Sequence, residues 1–432
     1  MSNANSERHV VSRRAVLGGA AVALAGVGLA PPWAAHAGNG STSRSFDQAL
    51  LDATASRLDR SLVELRRDIH RHPEIAGQER RTAGVVARRL RAAGLDVRTG
   101  VGGYGVVGIL RGAHPGRTVG YRADMDAVPP DEQMAGGPEP AHLCGHDLHT
   151  TVGVGVAEVL ALLRHRLAGT VVFVFQPAEE ALSGAAAMLD DGVFDRARPT
   201  EIHALHCGPF PVGQFLVMPG YGLPGLDRGV VTLTGSDATV RARQLAAEIN
   251  TLGTVAPPRT PADLEQIVAD LQTPDGPLAE FVFMGAQPVE TDGAAEVRVS
   301  FRCWPEHRYA EIRERIQRLA TASGGASVAF PNDPFPAMIC PEREGLALER
   351  HLHRTVGRDG VRRMHAAVPF NGEDFALFLD RMPGTFTFLG VRAPGAAIET
   401  SYPHFGAFNP DERAIGYGVR AMAGWLATRT RS

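Results

Sequence analysis

The sequence predicts an α/β protein with a mostly parallel sheet covered by helices and an inserted ferredoxin-like α+β domain. Three observations predict it. Short continuous apolar runs, of the kind buried on both faces, alternate with helical periodicity through the first half of the chain. From about Gly229 the order of elements becomes β-α-β-β-α-β, the ferredoxin-like arrangement. The chain has 432 residues, 44% of them hydrophobic, and a net charge of −3, which suits two domains with cores of their own.

Taken in order, the chain opens with Arg13-Arg14 ahead of an uncharged stretch from Ala15 to Ala30, then Ala35-His36-Ala37. The stretch is shorter than the roughly 20 residues of a membrane span, so an uncleaved anchor is the weaker reading. A twin arginine, a weakly apolar segment and an A-x-A site predict a twin-arginine-type export signal over 1–37 and an extracellular or periplasmic protein. A polar linker follows over 38–44. Leu50, Leu51, Leu58, Leu62, Leu65 and Ile69 predict one long helix over 46–70, and a second helix covers 79–93. Strands are expected at 105–110, 118–121, 171–175 and 202–205, with a helix at 150–163. In the insertion, strands at 230–234, 281–285, 295–301 and 327–330 alternate with helices at 238–252 and 310–322. The larger domain is thus expected over 45–227 and 337–432, with the smaller one inserted over 228–336.

Composition removes several chemistries. The 44 basic residues are all arginine, so there is neither a Schiff-base lysine nor a phosphate-loop lysine. The charge balance is not that of a nucleic-acid binder. Gly103 to Gly108 fits G-x-G-x-x-G, but it runs into a strand rather than a helix and reads as a hairpin. No G-x-S-x-G is present. The four cysteines have scattered spacing and show no disulfide framework.

Metal chemistry is better supported. His142 to His149 holds one thiol, three imidazoles and a carboxylate, groups that suit zinc or a similar divalent ion; a self-contained structural zinc knot is the alternative. Glu179-Glu180 and His206 follow apolar strands, at the end where open α/β sheets place ligands. His404 stands in an apolar loop near the end of the chain. Ligands gathered from separate strand ends are how hydrolytic metal sites are built.

Seven segments in order carry a more specific resemblance: Arg67 to Glu74, Arg122 to Pro129, Cys144-Gly145-His146-Asp147, Gln176 to Glu180, Ala204-Leu205-His206, Gly372 to Phe375, and His404 with Phe408 and Asp411-Glu412. In these the chain resembles the amidohydrolase branch of the aminoacylase and carboxypeptidase-type dinuclear metallopeptidases, which includes hippurate and auxin-conjugate hydrolases. The resemblance implies a zinc-peptidase-like catalytic domain interrupted by a lid that often mediates a homodimer. It implies two divalent ions (zinc, manganese or cobalt) held by Cys144, His146, Glu180, His206 and His404. Glu179 would be the general base, and Asp126 and Glu373 would support the ligands or balance their charge. The substrate would be a small N-acyl amino acid or short peptide; no nucleic-acid partner is implied, and no membrane association after signal cleavage.

The lid departs from the pattern. Relatives carry a Gly-Gly-His-Ala-Ala segment whose histidine contacts the substrate oxyanion, commonly across a dimer. Here Val231 to Gly235 passes straight to Ser236-Asp237-Ala238-Thr239, and the lid's only histidine is His307. The family's Asn-x-Ile-Pro stretch is replaced by Val289 to Gly293. Arg302 matches the arginine that closes the later lid strand and is the candidate for binding substrate; Arg302 or Arg241 could replace the lost donor. Loss of one oxyanion donor costs about 10²–10³ in turnover. The alternative is a metal-loaded binding protein of the same fold that lacks efficient turnover; Glu179 favours an enzyme, since a binding protein has no use for the base.

Overall fold

The computed structural model describes residues 47–291 and 294–431, so the export signal and linker lie outside the described residues. The expected first helix is two: α1 (Gln48–Ser56) and α2 (Asp59–His70). Tighter i→i−3 bonds close α1, from Arg57 N to Thr54 O and Leu58 N to Ala55 O. Arg420 then clamps the break, donating to Ser56 Oγ at 2.8 Å and to Asp59 Oδ2 at 2.8 Å. The leucine periodicity continues across the break because both helices bury the same face, Leu51 and Leu62 included.

Next come α3 (Arg80–Ala92), β1 (Asp96–Val101), β2 (Gly105–Arg111), β3 (His114–Asp124), α4 (His146–Leu162), β4 (Ala168–Gln176), α5 (Gly184–Asp190), β5 (Ile202–Pro211), β6 (Phe215–Val217) and the short β7 (Gly222–Leu223). The smaller sheet is built from β8 (Asp227–Thr234), β9 (Phe281–Thr291), β10 (Ala294–Trp304) and β11 (Ser327–Ala329), with α6 (Ala238–Asn250), α7 (Pro261–Leu271) and α8 (Arg308–Ala322) between them. The chain ends with β12 (Met338–Ile339), α9 (Glu342–Thr355), β13 (Val361–Arg363), α10 (Ala376–Leu379), β14 (Gly384–Arg392) and α11 (Arg413–Arg429).

The large sheet has the order β1-β2-β4-β3-β5-β14-β6-β13. Its central pairs β4·β3, β3·β5 and β5·β14 are parallel, as is β6·β13, while β1·β2, β2·β4 and β14·β6 are antiparallel. β4 shows why its sequence reads as an unbroken apolar run. Val171, Phe173 and Phe175 enter the core under α2, α4 and α11, while Val172 and Val174 enter the core on the opposite face with Met188 and Phe378. Two buried faces leave no polar alternation to see. The glycine motif is the expected hairpin, with Val101 paired to Gly105 and Gly102 and Gly103 at φ 60° and 99°.

The smaller sheet has the order β11-β8-β10-β9 with every pairing antiparallel, and α6 and α8 cover one face through Leu245, Ile249, Ile312 and Ile316. α7 was not anticipated, although its capping box was readable: Thr260 Oγ1 accepts from Asp263 N and the Asp263 carboxylate accepts from Thr260 N, with Pro261 at the first position. It packs Leu264 against Ile398 and Tyr402 rather than into the smaller sheet's core. Among the described residues no helix is long and apolar enough to cross a membrane.

α4 is buried on nearly every side, and Gly155 is where α2 and α11 approach it most closely. A Cβ there would stand 2.6 Å from Val419 Cγ2 and 2.8 Å from Leu62 Cδ1. At Gly84 in α3 the nearest atom is Arg88 Nη1 at 3.5 Å. Urea titration is therefore expected to show Gly155→Ala destabilised by about 1–3 kcal/mol from overpacking, and Gly84→Ala stabilised by about 0.5–1 kcal/mol from helix propensity.

Candidate metal centre

The carboxyl ends of β3 and β4, the start of α4, the middle of β5 and the loop before α11 meet in one place. Asp124 ends β3, and Asp126 stands two residues beyond it. Cys144 precedes α4 and His146 is its first residue. Gly145 between them adopts φ 85°, and a Cβ on it would lie 2.4 Å from Cys207 Sγ, so only glycine allows the turn that brings Cys144 and His146 together. Glu179 and Glu180 follow β4. His206 does not end its strand as expected: β5 continues to Pro211, and His206 pairs with Phe388 of β14.

The structure brings Cys144, His146, Glu180, His206 and His404 together, with Glu179 beside them. Cys144 Sγ is 3.5 Å from His206 Nε2, His404 Nε2 is 3.3 Å from Glu180 Oε2, and His146 Nε2 is 3.6 Å from Glu180 Oε1 and 3.8 Å from Glu179 Oε2. Donor atoms of Cys144, His146 and His206 lie within 4.8 Å of one another, and so do those of Cys144, Glu180 and His404. Cys144 belongs to both triplets.

The imidazoles share one arrangement. His146 Nδ1 is 3.2 Å from Asp126 Oδ1, His206 Nδ1 is 2.7 Å from the Cys207 carbonyl oxygen, and His404 Nδ1 is 3.2 Å from the Glu132 carbonyl oxygen. Each Nδ1–H is thus donated to an oxygen, which leaves each Nε2 lone pair turned into the cluster. His146 Nε2 and Glu180 Oε1 are buried with no hydrogen-bond partner. Buried orphan atoms among soft and borderline donors fit a divalent cation. Asp126 also accepts from Glu180 N at 3.0 Å on its other oxygen, so one carboxylate sets both a ring and a glutamate.

Electrostatics agree with a nest of anionic groups suited to a cation. Burial, then the nearby Glu180 carboxylate, pushes the Cys144 thiol well up. Burial, then Glu373 and Glu180, holds the Glu179 carboxyl well above the ordinary glutamate range. Burial opposes the charged form of His146, but Asp124 and the Asp126 hydrogen bond outweigh it and raise the imidazole to about 10. Glu180 goes the other way: His404 and His146 overcome burial and lower it. A bound cation would provide positive charge and release these protons.

Behind the cluster, Asp124, His149 and Arg122 carried no assigned role in the sequence. Asp124 accepts from His149 Nδ1 at 2.7 Å, and His149 Nε2 accepts from Cys207 N at 2.8 Å, beneath the His206 ring. Arg122 is almost fully buried and donates to Asp124 at 2.5 Å, Glu373 at 2.9 Å, Gln176 at 2.9 Å and Asp374 at 3.2 Å. Glu373 is tied to Asp124 through Arg122 and is also an electrostatic neighbour of His146 and Glu179. The signal available was the Arg122-Ala123-Asp124 alternation, which puts both charges on one face of a buried strand.

The cluster opens into a cleft of about 930 Å³. Arg302, on β10, lines it, and is no solvated strand end: its Nη1 donates to Gly225 O at 3.1 Å, and burial brings the guanidinium down to about 10. Arg241 is elsewhere, held by Asp237 and the Ser323 and Thr234 carbonyls at the far turn of the smaller sheet, and it does not line the cleft. His307 caps α8 and does not line it either.

Residues 120–428 match the family described as Peptidase family M20/M25/M40. The N-acetyldiaminopimelate deacetylase of Pediococcus pentosaceus is 31% identical over 389 residues, covering 85% of this chain and 97% of its own length. An IAA-amino acid hydrolase of Arabidopsis thaliana (ILR1-like 5) is 29% identical over 389 residues, covering 85% and 86%. Among solved structures, the Bacillus subtilis YXEP protein, described as a dinuclear metal binding peptidase from the M20 family, superposes with a TM-score of 0.66 at 26% identity, covering 87% of this chain and 99% of that one.

Asp126 holds a ring and a glutamate at once, so its removal is expected to weaken metal binding through the two groups it positions. Competition against a chromogenic chelator should show Asp126→Asn binding zinc about 10–100-fold more weakly than the parent chain, with an unchanged far-UV spectrum.

Proposed function

The chain belongs to peptidase family M20/M25/M40 and is a metal-binding hydrolase of amide bonds; from that premise we propose that it cleaves N-acyl amino acids or short peptides, with two divalent ions at the cluster and Glu179 as the general base. The observation that carries this reading is the convergence of three Nε2 atoms, the Cys144 thiol and Glu180 beside a second glutamate that none of the Nδ1 hydrogen bonds employs.

Cys144, His146 and His206 would hold one ion and Cys144, Glu180 and His404 the other, since the donor atoms of each triplet lie within 4.8 Å of one another. Thiolate favours zinc, while carboxylate and imidazole also admit manganese or cobalt. Bound there, such ions polarise a scissile carbonyl and lower the pKa of water. The rest of the chemistry belongs to the chain. Glu179, whose carboxyl burial and then Glu373 and Glu180 push up and which a bound cation would return to its ionised form, takes a proton from the attacking water and returns it to the leaving nitrogen. Its neighbour Glu180 is turned toward His404 and His146, so the two adjacent glutamates divide the work. Arg302, which lines the same cleft, receives the carboxylate of the amino acid. Export by the twin-arginine route, proposed from the sequence, suits a protein whose metal is loaded before it crosses.

Hydrolysis of N-acetyl and N-benzoyl amino acids by the purified chain tests the reading. Activity should vanish with chelator and return with metal. Glu179→Gln should keep its metal content and lose about 10²–10⁴ in kcat. Metal-dependent binding of these compounds with no turnover by the parent chain would contradict the reading. So would a Glu179→Gln chain of undiminished activity.

A further inference from the structure

Register places two arginines side by side on a wall of the cleft into which the cluster opens. Arg228 on β8 lies in the strand register opposite Ser300 on β10, and Arg302 follows Ser300 two residues later, so both project from the same face of the sheet as diagonal neighbours. That face is the one without helices. Phe283, opposite Arg302 on β9, meets Phe370 with ring centroids 5.1 Å apart. Gly372 leaves room for the Arg302 guanidinium, since a Cβ there would stand 2.5 Å from Nη1. Both arginines line the cleft.

Neither guanidinium makes a salt bridge among the described residues, although acids are close, and Glu179 is an electrostatic neighbour of Arg302 across the cleft. Asp227 points to the opposite, helix-covered face, where Arg313 holds it through two bonds at 2.7 and 2.8 Å. Asp333, exposed on the adjoining loop, also has Arg313 as an electrostatic neighbour. Two like charges left together on a cleft wall with neither one salt-bridged make a site prepared for anions.

We infer that Arg228 and Arg302 form a two-cation wall that takes both carboxylates of a dicarboxylic amino acid, so that the preferred substrates are acyl conjugates of aspartate- or glutamate-type residues. Arg302 meets the α-carboxylate and Arg228, nearer solvent, the side-chain carboxylate. This selectivity rests on the amidohydrolase reading for its consequence but not for its measurement.

Calorimetric titration of the Glu179→Gln chain loaded with manganese separates the two. N-acetylglutamate should bind about 10–100-fold more tightly than N-acetylglutamine, its neutral isostere, as a charge-assisted hydrogen bond warrants. In the Glu179→Gln, Arg228→Gln double variant that ratio should fall toward one, and Arg228→Lys should restore part of it. Equal affinities in the parent, no binding of either compound, or a ratio indifferent to Arg228 would overturn the wall. If the wild-type chain then hydrolyses neutral acyl amino acids, the amidohydrolase reading stands without it. A preserved ratio in a wild-type chain that hydrolyses neither compound leaves the wall standing and removes the hydrolase reading.

Discussion

One carboxylate, that of Asp126, sets the geometry on which the site depends. It accepts the His146 Nδ1–H on one oxygen and the Glu180 amide on the other, and so ties the start of α4 to the end of β4 through the turn that follows β3. Without it His146 could adopt either tautomer and the Glu179-Glu180 segment could rotate. With it the Nε2 atom and the Glu180 side chain face the same volume. The backbone carbonyls of Cys207 and Glu132 do the same for His206 and His404, so the cluster needs no further side chain to orient those two rings.

Beneath that layer the protein buries an unusual amount of charge. Arg122 holds Asp124, Glu373 and Asp374 within hydrogen-bond distance. Breaking such an assembly by removing one member leaves uncompensated charge in a low-dielectric interior, at a cost of roughly 3–5 kcal/mol. Its position suggests why it is tolerated: burial, then Glu373, Glu180 and Asp374, push the Glu179 carboxyl up, while Arg122 donates to Glu373 and Asp374 and opposes what burial does to their own carboxyls. Stability and the chemistry of the base are settled by the same groups.

Much of this could be read from the residues. β4 and β5 reveal themselves as apolar runs because both their faces are buried, and the donors stand out because polar groups follow such runs abruptly. The strands of the smaller sheet alternate buried and exposed residues instead, because helices cover only one of its faces. What escaped was of two kinds. Arg122, Asp124 and His149 lie in a quoted motif, yet a charge on a buried strand looks like a charge on a solvated one until its partner across the sheet is known. The α1–α2 break was hidden because Leu51 and Leu62 keep one periodicity while Arg420, from 360 residues later, stabilises the gap. Choosing between Arg241 and Arg302 needed the sheet: one sits behind a turn, the other on the face turned to the cleft.

The most direct measurement is anomalous diffraction at the zinc edge from crystals grown with zinc. Two peaks about 3.5–4 Å apart, both within bonding distance of Cys144 Sγ and divided between His206 with His146 and Glu180 with His404, are what the account predicts. A single peak, or density centred instead on Asp124 and His149, would contradict it.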